Sequence, residues 1–168
     1  MAVTASISTN SRLTFALADS PDLGSISQSV EVKTSRTVTN GTGAGQANAA
    51  WSARVTLAAG QVYSLDLTDL SLSAFNLAGK LTLSTLKDVI VVNNSTTAGR
   101  YLLYGVISPA DTTGYAARLN RGADYRWSDY QDGIAVTAGN KMVYIANPSA
   151  GSVTFDVALA GVGTFVDT

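Results

Sequence analysis

The sequence predicts an all-β protein built as an antiparallel β-sandwich, and two observations support this prediction. Apolar and polar residues alternate with a period of two in many short segments, most of which end at Gly, Asn, Asp or Pro. The composition agrees, because the 168 residues include one glutamate and four lysines, the charged residues that favour helix surfaces. We expect the strands to follow a jelly-roll order.

Three segments define strands in the first two-thirds of the chain. Apolar residues occupy every second position of Trp51–Leu57, as in a strand with one face in water. The segment Tyr63–Leu67 repeats this pattern. The run Val89–Val92 is apolar throughout, which predicts a strand that is buried on both faces.

Two later segments resemble each other, and each predicts a β-hairpin. Val89–Val106 and Val143–Gly161 both consist of an apolar strand, a polar loop that begins with Asn and contains Ala-Gly, and a second strand. Shared turn chemistry explains the likeness without a sequence repeat. The residues that these segments contribute to the predicted core are Ile90, Val92, Val143, Ile145, Phe155, Val157 and Leu159.

The remaining segments give weaker patterns. Asp66–Gly79 is compatible with a helical turn or with extended structure, and Asp111–Gly133 is irregular and predicts loops. The first residues are strand-like and carry small side chains. We therefore interpret residues 1–40 as a strand-rich arm or outer sheet and residues 41–168 as the sandwich core, with one domain over 1–168 as the alternative.

The composition also limits the chemistry that the chain can perform. It contains no histidine and no cysteine, which excludes disulfides, thiolate metal sites and His-dependent nucleophiles. The formal net charge is -1 and there is no cationic run, so nothing indicates a nucleic-acid partner. We expect a protein without catalytic residues, metal or other cofactor.

No segment has the features of a leader or a membrane anchor. The opening residues lack a basic stretch followed by an apolar one, and no run approaches the ~20 apolar residues that span a bilayer. We expect a soluble protein without a membrane partner. Asn40, Asn93 and Asn94 each begin an N-x-S/T triplet, and we interpret them as turn residues.

The stretch "NGTGAGQANAAW", Asn40–Trp51, resembles a phosphate-binding loop at first sight. It lacks the lysine and the spacing of a Walker loop, and a strand follows it where a helix would be needed. We interpret Gly41, Gly43, Gly45 and Gln46 as a structural connection whose glycines permit positive φ or close backbone approach.

Acidic residues cluster late in the chain. Asp124, Asp129 and Asp132 could supply the carboxylate pair of a glycosidase, and "DYQDG" has some likeness to a calcium loop without its regular spacing. The alternative is that these residues form turns in solvent, which we favour.

The segment "GYAARLNRGADYRWSDYQDG" is the candidate contact surface, because aromatic and Arg residues interleave as they do in the cores of protein interfaces. A subunit or partner contact, packing within the chain and stacking on a glycan all remain open. The residues of this predicted interface are Tyr115, Arg118, Arg121, Tyr125, Arg126, Trp127 and Tyr130.

Several motifs, in order along most of the chain, are similar to a family of small GTGAGQA-containing proteins of tailed bacteriophages and prophages, encoded among their virion structural genes. The motifs are "PDLGS" at 21–25, "NGTGAGQAN" at 40–48, Trp51, "TLAAG" at 56–60, "LDL" at 65–67, "LKDVIVVNNSTTAG" at 86–99 and "DGIAVTAGNKMVYIANPSAGSVTFDVALAG" at 132–161. The chain differs from the family between Gly114 and Tyr130, where its Arg- and Tyr-rich segment replaces a simple turn.

The resemblance implies a non-enzymatic structural protein of the virion. We expect a capsid decoration or cement protein on the head exterior, made in the host cytoplasm, that binds the major capsid protein or another virion protein. A symmetric homo-oligomer is expected, with a trimer favoured. The alternatives are a tail- or fibre-associated adhesin that binds a host glycan and, less favoured, a glycan hydrolase.

Overall fold

The computed structural model describes residues 7–19, 26–74, 77–105 and 116–167, with the backbone alone for 7–37, 72–78 and 167. The described residues form strands and turns without a helix. The strands are β1 (Ile7–Asp19), β2 (Ile26–Val38), β3 (Ala49–Leu57), β4 (Val62–Asp66), β5 (Leu70–Ala74), β6 (Leu77–Asn93), β7 (Tyr101–Tyr104), β8 (Ala117–Asn120), β9 (Asp124–Ser128), β10 (Ile134–Ala135), β11 (Met142–Ala146) and β12 (Val153–Asp167).

The strands form three antiparallel sheets. The larger sheet has the order β3-β12-β6, and β5, β10 and β9 pair one after another along the far edge of β6. The smaller sheet has the order β4-β11-β7-β8. β1 and β2 pair with each other in a separate two-stranded sheet. The predicted all-β class and antiparallel arrangement are confirmed, whereas the jelly-roll order stays a prediction.

The core lies between the larger and the smaller sheet. Phe155 of β12 meets Tyr63 of β4 edge to face, with 6.0 Å between the ring centroids. Trp51 of β3 donates from Nε1 to the carbonyl of Ser71 in β5 over 2.8 Å, which joins opposite edges of the larger sheet. The larger sheet is therefore curled, and the whole is a sandwich-like arrangement.

The period-two predictions agree with the observed burial in most strands. In Trp51–Leu57 the two end residues are buried, Ala53 and Val55 are half-buried against the core, and the polar positions between the apolar ones are exposed. Of the predicted core residues, Ile145, Phe155, Val157 and Leu159 are buried, and Val143 packs against them. The run Val89–Val92 was predicted to be buried on both faces, which is wrong, because Ile90 and Val92 are half-exposed on the outer face.

The two predicted hairpins are wrong, and the reason is shared. β6 and β7 lie in different sheets, and so do β11 and β12. Each Asn-led segment therefore crosses from one sheet to the other instead of turning back within a sheet. The sequence shows two strands joined by a polar turn, and this pattern is common to a hairpin and to an inter-sheet crossing.

Two ambiguous segments are extended in the structure. Asp66–Gly79 contains β5 and the start of β6, with a tight turn in which Asp66 Oδ1 accepts from the Thr68 amide at 2.9 Å. In the predicted loop Asp111–Gly133, the described residues include β8 and β9, one in each sheet. Pairing with distant strands decides these elements, and such pairing leaves no local pattern.

The N-terminal ribbon, defined as β1 and β2, stands apart in its pairing. Each strand has 13 residues, and among the residues that the structure describes neither pairs with a strand of the two larger sheets. At its end Val38 is buried with Ala47 and Tyr130. The division between residues 1–40 and 41–168 stays a prediction.

Candidate functional site

The glycine-rich connection between the ribbon and β3 closes on itself. The amides of Gly41, Gln46 and Ala47 donate to carbonyls of the same connection, and the Gly43 amide donates to Gln46 Oε1 at 3.0 Å. The Gly45 amide donates to the Tyr130 carbonyl at 2.7 Å. These five N–H groups already have partners, whereas an anion site needs N–H groups that point at the ligand.

Two different constraints explain the glycines. Gly45 has a φ of 69°, in the left-handed region that favours glycine. At Gly43 a Cβ would lie 3.1 Å from Gln46 Oε1, and at Gly41 it would overlap the same side chain. The Gln46 side chain therefore occupies the space that larger residues would need.

A buried lysine fixes this connection to the sandwich. Lys87, 2% exposed, donates from Nζ to the carbonyls of Gly43, Tyr130 and Gln131 at 2.7, 3.4 and 3.4 Å. Three carbonyl acceptors match the three N–H groups of an ammonium, which offsets the cost of burying its charge. Lys87 is the extra residue of a bulge in β6, because Ala160 of β12 pairs with Asp88 and the next residue, Gly161, pairs with Leu86.

Asp88, which follows Lys87 in β6, binds the side chain of Tyr130, the residue whose carbonyl Lys87 contacts. Asp88 is buried, and its Oδ2 accepts from the Tyr130 hydroxyl at 2.7 Å. Arg126 Nη2 donates to the Tyr130 hydroxyl at 2.8 Å and lies 3.3 Å from Asp88 Oδ2. Lys87 and Asp88 thus join β6, β9 and the glycine-rich connection in one polar network.

The other predicted interface residues that the structure describes also contact their own chain. Tyr125 stacks on Tyr104 across the two sheets at 4.6 Å, and burial, with a smaller contribution from Tyr125, raises the pKa of Tyr104 to about 12. Trp127 is half-buried against the core. Arg118 lies over the Tyr101 ring at 3.8 Å.

Arg121 completes the set, because its Nη1 donates to the Thr96 carbonyl at 3.2 Å. Tyr115 lies outside the described residues. Arg118 and Arg121 remain exposed, whereas Tyr130 is buried. The predicted residues are divided between the two sheets, because β8 with Arg118 lies in the smaller sheet and β9 with Tyr125, Arg126 and Trp127 lies in the larger sheet. Their role as an interface stays a prediction.

The three acidic candidates, Asp124, Asp129 and Asp132, have different surroundings. Asp129 Oδ1 accepts from the amides of Gln131 and Asp132 at 3.1 and 3.3 Å, which is the turn-forming role that the sequence favoured. Asp124 is exposed at the start of β9. Among residues 7–19, 26–74, 77–105 and 116–167, no group of three or more acidic side chains is placed to hold a metal ion.

Two inter-sheet corners, which the sequence analysis interpreted as hairpin turns, are built around buried Asn side chains. In each, a fully buried Asn, Asn93 or Asn147, accepts from the amide of the Ser two residues later, at 3.0 and 3.1 Å respectively. Each Asn side chain also donates to a carbonyl of a neighbouring strand, Leu119 of β8 or Leu57 of β3. The shared Asn-x-Ser triplet was the available signal.

Exposed apolar residues mark the remaining surface. The large apolar side chains that are exposed among those described are Ile134, Phe165 and Val166. Phe165 and Val166 lie together near the end of β12. No helix of the described part is both long and apolar enough to cross a membrane.

Comparisons with known proteins give no relative of this chain. No family model, no curated protein and no solved structure matches it.

Proposed function

We propose that the protein is a non-enzymatic structural component of a bacteriophage virion, most specifically a decoration or cement protein on the head exterior. The N-terminal ribbon carries this proposal. Two strands of 13 residues pair with each other and, within the described part of the chain, with no strand of the sandwich. A two-stranded ribbon is marginally stable in water without a surface to pack on, so its length favours a protein that contacts neighbouring chains.

The way in which polar residues are used also supports the proposal. Lys87, Asp88, Arg126 and Tyr130 hold strands and connections together. The Gly-rich connection bonds its own amides, and Asp129 forms a turn. This use of polar side chains is expected of a protein whose task is to keep a shape.

The finer parts of the proposal come from the resemblance to phage virion proteins. They are a jelly-roll order of strands, a homotrimer, binding to the major capsid protein or another virion protein, and a place in the virion. The exposed Arg118 and Arg121 on β8 and the following turn supply polar contacts for such a surface.

Cryo-electron microscopy of particles that carry this chain tests the proposal. We expect its density at symmetry-equivalent positions on the head, and we expect particles made without it to release DNA at a lower temperature. Adding the purified protein to those particles restores the release temperature if the proposal is correct.

Density on the tail, or absence from the particle, contradicts a decoration role. Tail density together with glycan-array binding that is lost in Trp127→Ala, while the melting temperature of that variant is retained, establishes an adhesin instead. Arg118→Ala is the matched control, because it removes an exposed side chain of the same region.

A further inference from the structure

One sheet edge of the sandwich is left open. β12 pairs with β6 as far as Asp167, but its described pairing with β3 ends at Gly161. The side chain of Asn48, just before β3, continues the contact with β12 as far as Gly163, because Asn48 Oδ1 accepts from the Gly163 amide at 2.9 Å. Beyond Gly163, the β3 side of β12 has no paired strand among the described residues.

The backbone of this edge points outward at defined residues. In an antiparallel sheet, successive residues direct their N–H and C=O groups to opposite neighbours. Gly161 and Gly163 face Asn48, so Phe165 and Asp167 face the same side. The pairing of β12 with β6 shifts register after Ala160 and again after Val162. Both extra residues lie in β6, so the alternation along β12 is kept.

The side chains at this edge are apolar and exposed. Phe165 is 41% exposed and Val166 is 56% exposed. Natural proteins protect such edges with charges, prolines or a covering segment, since an open edge pairs with other strands. Thr164–Val166 carries neither a charge nor a proline, and the charge on this edge is that of Asp167 at its end.

The same chain contains a strand donor. The outer edges of β1 and β2 are unpaired among the described residues, and each strand is ~43 Å long at ~3.3 Å per residue. The register places Leu13 opposite Val32 and Phe15 opposite Val30. Alternate positions share a face of a ribbon, so these four apolar positions lie on one face.

The ribbon joins the sandwich beside the open edge. Val38, the last residue of β2, is buried with Ala47. Asn48, which follows Ala47, is hydrogen-bonded to both Gly161 and Gly163 of β12. Among the described residues, the ribbon of the same copy pairs only within itself and not with that edge.

We propose that the open edge of β12 accepts the N-terminal ribbon of a second copy of this chain by strand addition. Main-chain hydrogen bonds to Phe165 and Asp167 supply the pairing, and the Phe165 and Val166 side chains are covered. Each copy gives one ribbon and accepts another, and this head-to-tail contact closes into a ring, such as a cyclic trimer, where the rotation between copies permits closure. This inference rests on the proposed role as an assembling virion protein.

Sedimentation of the full chain over a range of concentrations tests the edge. Phe165→Pro removes the N–H that faces outward and keeps the bonds of Thr164 and Val166 to β6, a position where an edge strand tolerates proline. We expect self-association to weaken at least tenfold. Phe165→Thr is the matched control, since it keeps the N–H, and we expect a smaller loss.

Disulfide trapping tests the donor and remains informative if Phe165→Pro does not fold. The chain has no natural cysteine, so engineered pairs report proximity directly. One pool carries Phe165→Cys, and differently tagged pools carry Leu13→Cys, Phe15→Cys or Val30→Cys. We expect disulfides between tags, above the level seen with Ala158→Cys, an exposed β12 position flanked by strands on both sides.

The inference is overturned if the parent protein stays monomeric at every soluble concentration. It is also overturned if Phe165→Pro associates as strongly as the parent, or if Phe165→Cys forms no more disulfides between tags than Ala158→Cys does. If the parent binds phage heads as a monomer, this inference fails while the proposed function stands. If ribbons exchange but no particle contains the protein, the proposed function fails while the exchange stands.

Discussion

The inter-sheet corners at Asn93 and Asn147 share the same backbone pairing but differ in the number of side-chain hydrogen bonds. At one corner the backbone of Asn147 pairs with the turn at Gly60 and Gln61, and at the other the backbone of Asn93 pairs with the turn at Gly122 and Ala123. All four of these hydrogen bonds are 2.8 or 2.9 Å long. Two crossings that are 54 positions apart in sequence thus reach one geometry.

The side-chain bonding differs. Asn147 Nδ2 donates to the carbonyls of Leu57, Ala58 and Gly151 at 3.0, 3.0 and 2.9 Å, and Oδ1 also accepts from the Ser149 hydroxyl. Asn93 Nδ2 donates to Leu119 alone among the described carbonyls, at 3.0 Å. A shared Asn-x-Ser triplet therefore identifies a corner, whereas the surrounding carbonyls decide how much the corner stabilises the fold.

The largest expected effect comes from the residue that connects the corners. Phe155 is fully buried, follows the Asn147 corner on β12 and lies opposite Asn93 in β6. Phe155→Ala should lower the free energy of unfolding by about 3 to 5 kcal/mol through lost apolar burial and a residual cavity. Urea denaturation measures this loss, and an unchanged midpoint would contradict the placement of Phe155 in the core.

The comparison itself is tested by removing each Asn. Asn147→Ala should cost about 3 to 4 kcal/mol, because several buried groups lose partners, and Asn93→Ala about 1 to 2 kcal/mol. Asn140→Ala is the control, since Asn140 bonds Thr137 and Ala135 in an exposed turn. Equal losses at Asn93 and Asn147 would show that the additional carbonyls contribute nothing.

The turns opposite the two Asn residues should respond alike. Gly60 and Gly122 have φ values of 75° and 70°, and a Cβ at either position would meet open space. Gly60→Ala and Gly122→Ala should therefore each cost about 1 kcal/mol through backbone strain alone. Thermal unfolding of the pair checks this, and a large difference would mean that the two turns are not equivalent.

The sequence predicted the parts of the fold that depend on local pattern. Period-two alternation identified β3, β4 and the core positions of β12, because one buried face leaves its mark at every second residue. It could not assign partners. The predicted hairpins failed because strands that cross between sheets carry the same alternation and the same turn residues as strands that pair.

The candidate site shows the same limit. The sequence interpretation of Gly41, Gly43 and Gly45 named positive φ or close backbone approach, which are constraints within one loop, and the structure shows a φ of 69° at Gly45 and the Gln46 side chain against Gly41 and Gly43. The sequence could not show that Lys87 and Asp88 meet Tyr130, more than 40 residues away. A lysine and an aspartate on a strand are typical of a solvated face, and their burial depends on carbonyls and a hydroxyl from distant segments.

The smallest expected effect concerns an ion pair beside the Asn93 corner. Hydrogen bonds from Arg54 and then from Asn94 lower the pKa of Asp156 to about 2. Because the folded pKa lies below the usual value of 3.8, the pair stabilises the fold above about pH 4, and this stabilisation is lost as the pH falls through 2. Asp156→Asn should thus flatten the decline of the melting temperature between pH 4 and 2, as measured by circular dichroism. The pKa of Asp66 is also lowered to about 2, by Lys141 first and by Thr68, so Asp66→Asn should flatten the same decline although Asp66 lies away from both corners. Arg54 is largely exposed, so added salt should weaken the Asp156 effect. A parent and an Asp156→Asn variant with the same acid profile would show that this corner gains nothing from the pair.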